Sequence, residues 1–316
     1  MANATIDHAL TGELRGLASD PTYAGALSFA RRRYAKNESE LADADIAILG
    51  IPFDAATSNR PGARFGPRAI RAASAILDND PQYPFHDPIF DRLRVVDAGD
   101  VLLDHGRHDE TPDRIEERCR ALLATDTFCL GLGGDHFVTW PLLRAHAARH
   151  GPLALVQFDA HQDTWPDDGD RIDHGTFVGR AVREGVVDAS TSIQIGIRTH
   201  APEVCGIEIV YGHEIEDMTA SEIAGRVLAR VGTRPCYVTF DIDCLDPAFA
   251  PGTGTPVAGG PSSARMLSTL RALGGLDLVG ADVVEVAPAY DHAEITAIAG
   301  AAVATTYLGL LAEKRP

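Results

Sequence analysis

Short, strongly apolar runs separated by longer amphipathic stretches set the rhythm of this chain. The runs span residues 46–51, 93–96, 127–132, 153–158, 192–197, 237–242 and 278–286. They read as buried β-strands. Between several of them the apolar period lengthens to that of a helix. After Gly66-Pro67, Ile70, Ala73 and Leu77 keep the i, i+3, i+7 spacing of one buried face, with the small Ser74 at i+4. Pro67 suits a first helical turn. Ile115, Cys119 and Leu122 form a similar stripe after Thr111-Pro112. Thr219 and Glu222 make a capping box ahead of Ile223, Val227, Leu228 and Val231, and Ser262 caps a helix that buries Met266, Leu267, Leu270 and Leu273.

Strands that are apolar throughout, alternating with helices, predict a mainly parallel sheet covered on both faces: a three-layer α/β/α sandwich. No repeat, low-complexity tract or linker divides the chain, so residues 44–316 are expected to form one domain. Residues 1–43 lack a strand signal and are expected to form an arm packed on that domain or on a neighbouring subunit.

Sheets of this kind place ligands at the carboxyl ends of their strands. Four of those ends carry acidic or imidazole groups: Gly133-Gly134-Asp135-His136, Asp159-Ala160-His161-Gln162-Asp163, Asp241-Ile242-Asp243, and Glu285. In extended chain, residues two apart face the same way, so Asp159, His161 and Asp163 are expected to share a space, as are Asp241 and Asp243. The glycines before His136 do not make a phosphate loop, since His136 stands where a dinucleotide fingerprint needs glycine and no Lys-Ser or Lys-Thr follows. They are expected to let the backbone turn tightly and bring the imidazole to the ligand space. Four carboxylates in one pocket need compensation. Two divalent cations cancel four charges, and His136, His161, Asp159, Asp163, Asp241 and Asp243 suit two ions that share carboxylates.

Composition narrows the choice. The 316 residues carry a formal charge of -17, which excludes a polyanion-binding surface and favours a small cationic substrate. The one basic run, Arg31 to Arg33 with Tyr34 and Lys36, reads as a solvated helix face or an oligomer contact. Five cysteines with no Cys-x-x-Cys are the usage of a reducing compartment. No signal peptide opens the chain and no stretch approaches about 20 continuous apolar residues, so a cytoplasmic protein without membrane contact is expected.

With these motifs in view, the chain resembles the ureohydrolase (arginase/agmatinase) family, nearest to the bacterial agmatinases. The likeness rests on residues 131–137 (GLGGDHF), 156–164 (VQFDAHQDT), 173–176 (DHGT), 239–256 (TFDIDCLDPAFAPGTGTP) and 282–290 (DVVEVAPAY), with 61–71 (PGARFGPRAIR) upstream. It implies an arginase/deacetylase-like sandwich and two Mn(II) ions, with Ni(II) or Co(II) as other metals that the donor set accepts. It also implies hydrolysis of a guanidino group to urea and an amine, with agmatine, a precursor in polyamine biosynthesis, as the leading substrate. Guanidinobutyrate, guanidinopropionate, a substituted guanidine or a biguanide are the other substrates considered, and a noncatalytic partner subunit is the reading from another class. By motif, the metal ligands are His136, Asp159, His161, Asp163, Asp241 and Asp243. His174 matches the proton-shuttling histidine, Glu285 the carboxylate that pairs with the guanidinium, and Asp163 is a further candidate to protonate the departing amine. Family precedent implies a homo-oligomer, trimer or hexamer, and allows a hetero-oligomer with a related subunit.

The chain departs from the agmatinase pattern at two places. Gln162 stands where a threonine is usual, and its side chain is expected to point away from the metals. Phe177-Val178-Gly179 replaces Met-Phe-Tyr, and the lost bulk at Gly179 is expected to bear on the substrate cavity. Asn59 and Arg60, before Pro61, are further candidate lining residues, with Arg60 expected to face solvent.

Overall fold

The structure, a computed structural model, describes residues 7–315 apart from 17, 19, 36–37 and 78–80. Lys36 and the first six residues of the expected arm therefore lie outside the described residues. Eight strands form one sheet with every neighbouring pair parallel: β1 (Ile46–Ile51), β2 (Val95–Asp100), β3 (Phe128–Gly133), β4 (Ala154–Phe158), β5 (Ile193–Ile197), β6 (Glu208–Tyr211), β7 (Pro235–Asp241) and β8 (Asp277–Val284). Their order is β2-β1-β3-β8-β7-β4-β5-β6. The site-bearing strands β3, β8, β7 and β4 are thus adjacent in the middle of the sheet.

Alternation along each strand feeds two separate cores. Ile46 and Ile48 of β1 join Ile70, Met266 and Tyr307 on one face, while Ala47, Leu49 and Ile51 join Ile115, Leu142 and Phe177 on the other. This is the expected three-layer sandwich. The predicted caps are present: Glu222 N–H donates to Thr219 Oγ1 at 3.2 Å while Glu222 Oε2 accepts from Thr219 N–H at 2.8 Å, and Arg265 N–H donates to Ser262 Oγ. The helix Gly66–Ser74 stops short of Leu77, which falls in a following 3-10 turn.

The helix Ile295–Glu313 is long and apolar enough to cross a membrane, although the sequence reading found no such stretch. Its threonines, glycines and Tyr307 break the apolar run without lowering the average. Within the fold 78% of its apolar window is buried, as in the central helix of a core.

The basic run also differs from expectation. Arg31 and Arg32 are buried rather than solvated. Arg31 pairs with Asp20 at 3.2 Å, and the Arg32 guanidinium stacks 4.1 Å from the Phe90 ring centre and donates to the Gly16 and Ala30 carbonyls. Around it the chain docks on the edge strand β2, where Ala35 N–H donates to the Asp97 carbonyl at 2.9 Å. Burying a guanidinium is tolerable when planar acceptors and an aromatic face replace its water.

Candidate metal centre

Extended geometry ends with Phe158 and Asp241, so the acidic residues do not converge by simple alternation as expected. They converge through turns. Asp159 Oδ1 accepts from His161 N–H at 2.6 Å, and Asp241 Oδ1 accepts from Asp243 N–H at 2.8 Å, each carboxylate closing the turn that follows it. Asp163 reaches the site on a left-handed backbone (φ 53°), and Glu285 does the same after β8 (φ 64°). Such conformations cost about 1–3 kcal/mol outside glycine and persist where surrounding structure holds them.

The result is two donor groups that share one residue: His136 with Asp159 and Asp241, and Asp159 with His161 and Asp243. His136 Nδ1 stands 2.9 Å from Asp159 Oδ2, 3.1 Å from Asp163 Oδ2 and 3.1 Å from Asp241 Oδ2. Despite these distances it has no hydrogen bond of acceptable geometry among the described residues. His161 Nδ1 lies 3.1 Å from Asp243 Oδ2 and 3.4 Å from Asp159 Oδ1. A buried nitrogen facing three carboxylate oxygens without a directed hydrogen bond is the environment of a cation ligand.

The electrostatics fit. Burial opposes charge on His136 and His161, yet the surrounding carboxylates outweigh it, pushing His136 well above its ordinary value and His161 up to about 12. Burial, together with Asp159, raises Asp163 to about 7. Burial, with Asp243 and Asp159, also raises Asp241 well above the carboxylate range. Without a cation the site must hold protons as counter-charge.

The donors floor a cavity of about 540 Å³ lined by His161, Asp163, Asp241, His174, Ser58 and Trp165, among others. His174 is held at both ring nitrogens. Nδ1 lies 2.8 Å from Glu285 Oε1, and Nε2 faces Ser58 Oγ at 2.7 Å and accepts from Ser58 N–H at 3.1 Å. Burial lowers the His174 pKa and Glu285 raises it more, up to about 9. The Ser58 N–H aimed at Nε2 nevertheless requires a lone pair there, so the geometry holds the neutral ring with its proton on Nδ1. Glu285 does not itself line the cavity. Its Oε1 accepts from His174 and from His136 N–H, and its buried Oε2 has no partner among the described residues.

A family model for the arginase family matches residues 44–309. The chain belongs to the arginase family. It is 47% identical to an agmatinase of Chromobacterium violaceum over 304 residues, 96% of this chain and 94% of the other. Among solved structures it matches a hypothetical agmatinase from Burkholderia thailandensis with a TM-score of 0.95 and 48% identity, covering 98% of each chain. It also matches proclavaminate amidino hydrolase from Streptomyces clavuligerus with a TM-score of 0.87 and 39% identity, covering 93% of this chain and 99% of that one. The chain is a metal-dependent amidinohydrolase of this arginase fold.

Against the agmatinase pattern, Gln162 behaves as expected: its Oε1 accepts from Ala201 N–H at 2.8 Å, away from the donor groups. Gly179 does not. It is buried, and a side chain there would meet Arg183 and Thr164 rather than the cavity. Phe177 packs its ring 4.5 Å from that of His136. Arg60 is exposed and stacks near Tyr290, and Asn59 donates to the Gly254 carbonyl; Ser58 is the residue of that loop that lines the cavity. The glycines before His136 serve close approach rather than an unusual turn, since a Cβ at Gly134 would lie 2.1 Å from the Phe53 carbonyl oxygen.

Sequence reasoning missed a second layer beneath the donors. Gln157 donates to Asp159 Oδ2 at 2.7 Å and accepts from Gln194 at 2.6 Å. Asp135, wholly buried, accepts from Ala56 N–H at 2.8 Å and anchors the loop that carries Ser58. Polar residues at inward positions of apolar strands were the available signal.

Proposed function

We propose that this chain hydrolyses agmatine to putrescine and urea with two divalent metal ions, Mn(II) foremost, bound by His136, Asp159, Asp163, Asp241, His161 and Asp243. The observation that carries this reading is the pair of donor groups sharing Asp159, with His136 Nδ1 facing carboxylates and lacking a directed hydrogen bond among the described residues. Oxygen-rich donors with one imidazole per group suit Mn(II), and accept Co(II) or Ni(II). Such ions, when bound, lower the pKa of coordinated solvent and ready it to attack an electrophilic carbon.

The protein's own groups supply the rest. With two ions bound the four floor aspartates are neutralised, and the Glu285 carboxylate is left as the negative charge that favours a cationic guanidinium. Glu285 lies behind His174 and outside the cavity lining, so it acts on that cation through its charge and through the ring it holds at Nδ1. The departing amine needs a proton; Asp163 and His174 both line the cavity, and the neutral His174 ring would first take up the proton that it passes on. The agmatinase relatives favour agmatine, while the likeness to proclavaminate amidino hydrolase supports a second reading, a different guanidino compound.

Residues 44–316 as one domain, with residues 1–43 as its docked arm, complete the proposal. The family precedent supports a trimer or hexamer, and five unpaired cysteines support a cytoplasmic setting. The test is a urea-release screen over agmatine, guanidinobutyrate, guanidinopropionate and a biguanide with Mn(II) and with Ni(II). Agmatine with Mn(II) is expected to lead. Turnover of another compound alone selects the second reading, and no urea from a metal-loaded chain overturns both.

A further inference from the structure

The side of His136 away from the cavity is occupied by a buried acid that the reaction does not use. His136 Nε2 lies 2.9 Å from Thr239 Oγ1, and that hydroxyl donates to Asp282 Oδ1 at 2.5 Å. Asp282 Oδ2 also accepts from Thr139 Oγ1 at 2.8 Å and from the Tyr237 hydroxyl at 2.9 Å. His136, Thr239 and Asp282 are all 0–1% exposed. The backbone sets this arrangement, because Thr239 on β7 stands directly across from Asp282 on β8, and Gly131 of β3 leaves room beside it, where a Cβ would meet the Asp282 Cβ at 3.0 Å.

The direction of the hydrogen bonds follows from counting protons. Three hydroxyls point at one carboxylate, and an ionised carboxylate can only accept. Burial raises the Asp282 pKa overall, and His136 with these three hydroxyls opposes that rise in favour of the charged form that they surround. With the Thr239 proton committed to Asp282, its oxygen must accept, so Nε2 of His136 keeps a proton and the neutral, ligating form of the ring has its lone pair on Nδ1. The lone pair of Nδ1 is then directed at the space between Asp159, Asp163 and Asp241.

We propose that Asp282, acting through Thr239, fixes the tautomer and raises the basicity of His136, and so sets how tightly the ion at the His136 position is held. The inference rests on the two-ion reading above. Asp282 and Thr239 are positioning residues, since neither lines the cavity. An outer carboxylate of this kind changes metal affinity by about 10–100-fold.

The test is Mn(II) titration of metal-stripped protein by calorimetry, with thermal melting of the same metal-free samples. Wild type is expected to bind ions at both positions. Thr239→Val, nearly the same shape without the hydroxyl, should weaken one of them by about 10–100-fold and spare the other. Thr239→Ser should restore the affinity, and Asp282→Asn should reproduce the loss with the threonine in place. Unchanged affinity in Thr239→Val or in Asp282→Asn overturns the proposal while leaving the two-ion reading intact. Equal loss at both positions with a lowered metal-free melting temperature makes the cluster a structural hub and also overturns it. Wild type that binds no metal overturns the underlying reading itself.

Discussion

The floor and the mouth of the cavity are built on different plans. At the floor, every donor sits on or just beyond a central strand, and His136 is 1% exposed, with the Phe177 ring packed beside it and carboxylates at its Nδ1 edge. At the mouth, Trp165, Arg171 and Asp173 lie on a loop between β4 and the helix Phe177–Arg183; Trp165 is nearly half exposed, and Arg171 pairs with Asp173 at 2.9 Å in solvent. The first arrangement leaves one geometry available, whereas the second can adjust to the tail of a ligand. The candidate donors are therefore held by the sheet, and the solvent side of the cavity by a loop.

Breaking the floor should have the largest effect. Asp159→Ala removes the residue common to both donor groups, so urea release should fall to background and metal content should drop at both positions; retained activity would show that the groups are independent. Next, Glu285→Gln and His174→Asn should each lower kcat by about 10²–10³-fold with metal content unchanged, as steady-state assays beside metal analysis would show. Near-normal turnover in either would remove that residue from the mechanism.

Metal binding should depend on pH. In the metal-free protein the carboxylates raise His161 to a pKa of about 12 and His136 well above its ordinary value, so both rings favour their protonated forms. Ligation needs their lone pairs, so each ion must displace protons, and affinity should rise as pH rises from 6 to 8. Calorimetry in buffers of different ionisation enthalpy would read the released protons; a flat profile would contradict the counter-charge account. Ser58→Ala should cost about tenfold in kcat with KM and metal content kept, on the order of 1.5 kcal/mol for one hydrogen bond that orients His174. At the mouth, Trp165→Ala should change KM for agmatine by only a few fold and leave kcat alone, and a large kcat loss there would erase the distinction between the two regions.

This division also explains what could be read from the chain. Strands such as Ile46–Ile51 and Ala154–Phe158 are buried on both faces and therefore spelled as apolar runs, and the acidic groups that follow them stand out by contrast. β6 was missed because it is a short edge strand, half-exposed and opened by Glu208, so neither an apolar run nor clean alternation marks it. β2 was placed too early because it continues through Asp97 and Gly99, where Arg71 neutralises the buried carboxylate at 2.8 Å. The clustering of the candidate donors was legible, although by the wrong geometry, and Asp163 stands beside His136 without belonging to either donor group. Asp163 and Asp243 arrive through turns, and a two-residue spacing suits both an extended strand and a carboxylate-closed turn. Thr239 and Asp282 were not legible as a pair, because what joins them is the register of β7 on β8, separated by more than forty residues in sequence.

On the reading proposed above, this floor holds two ions through one shared aspartate. Metal analysis by mass spectrometry of the dialysed, Mn(II)-loaded chain tests it most directly. Close to two ions per chain are expected in the wild type and close to none in Asp159→Ala. A wild-type chain that retains a single ion, or an Asp159→Ala chain that still retains two, would contradict it.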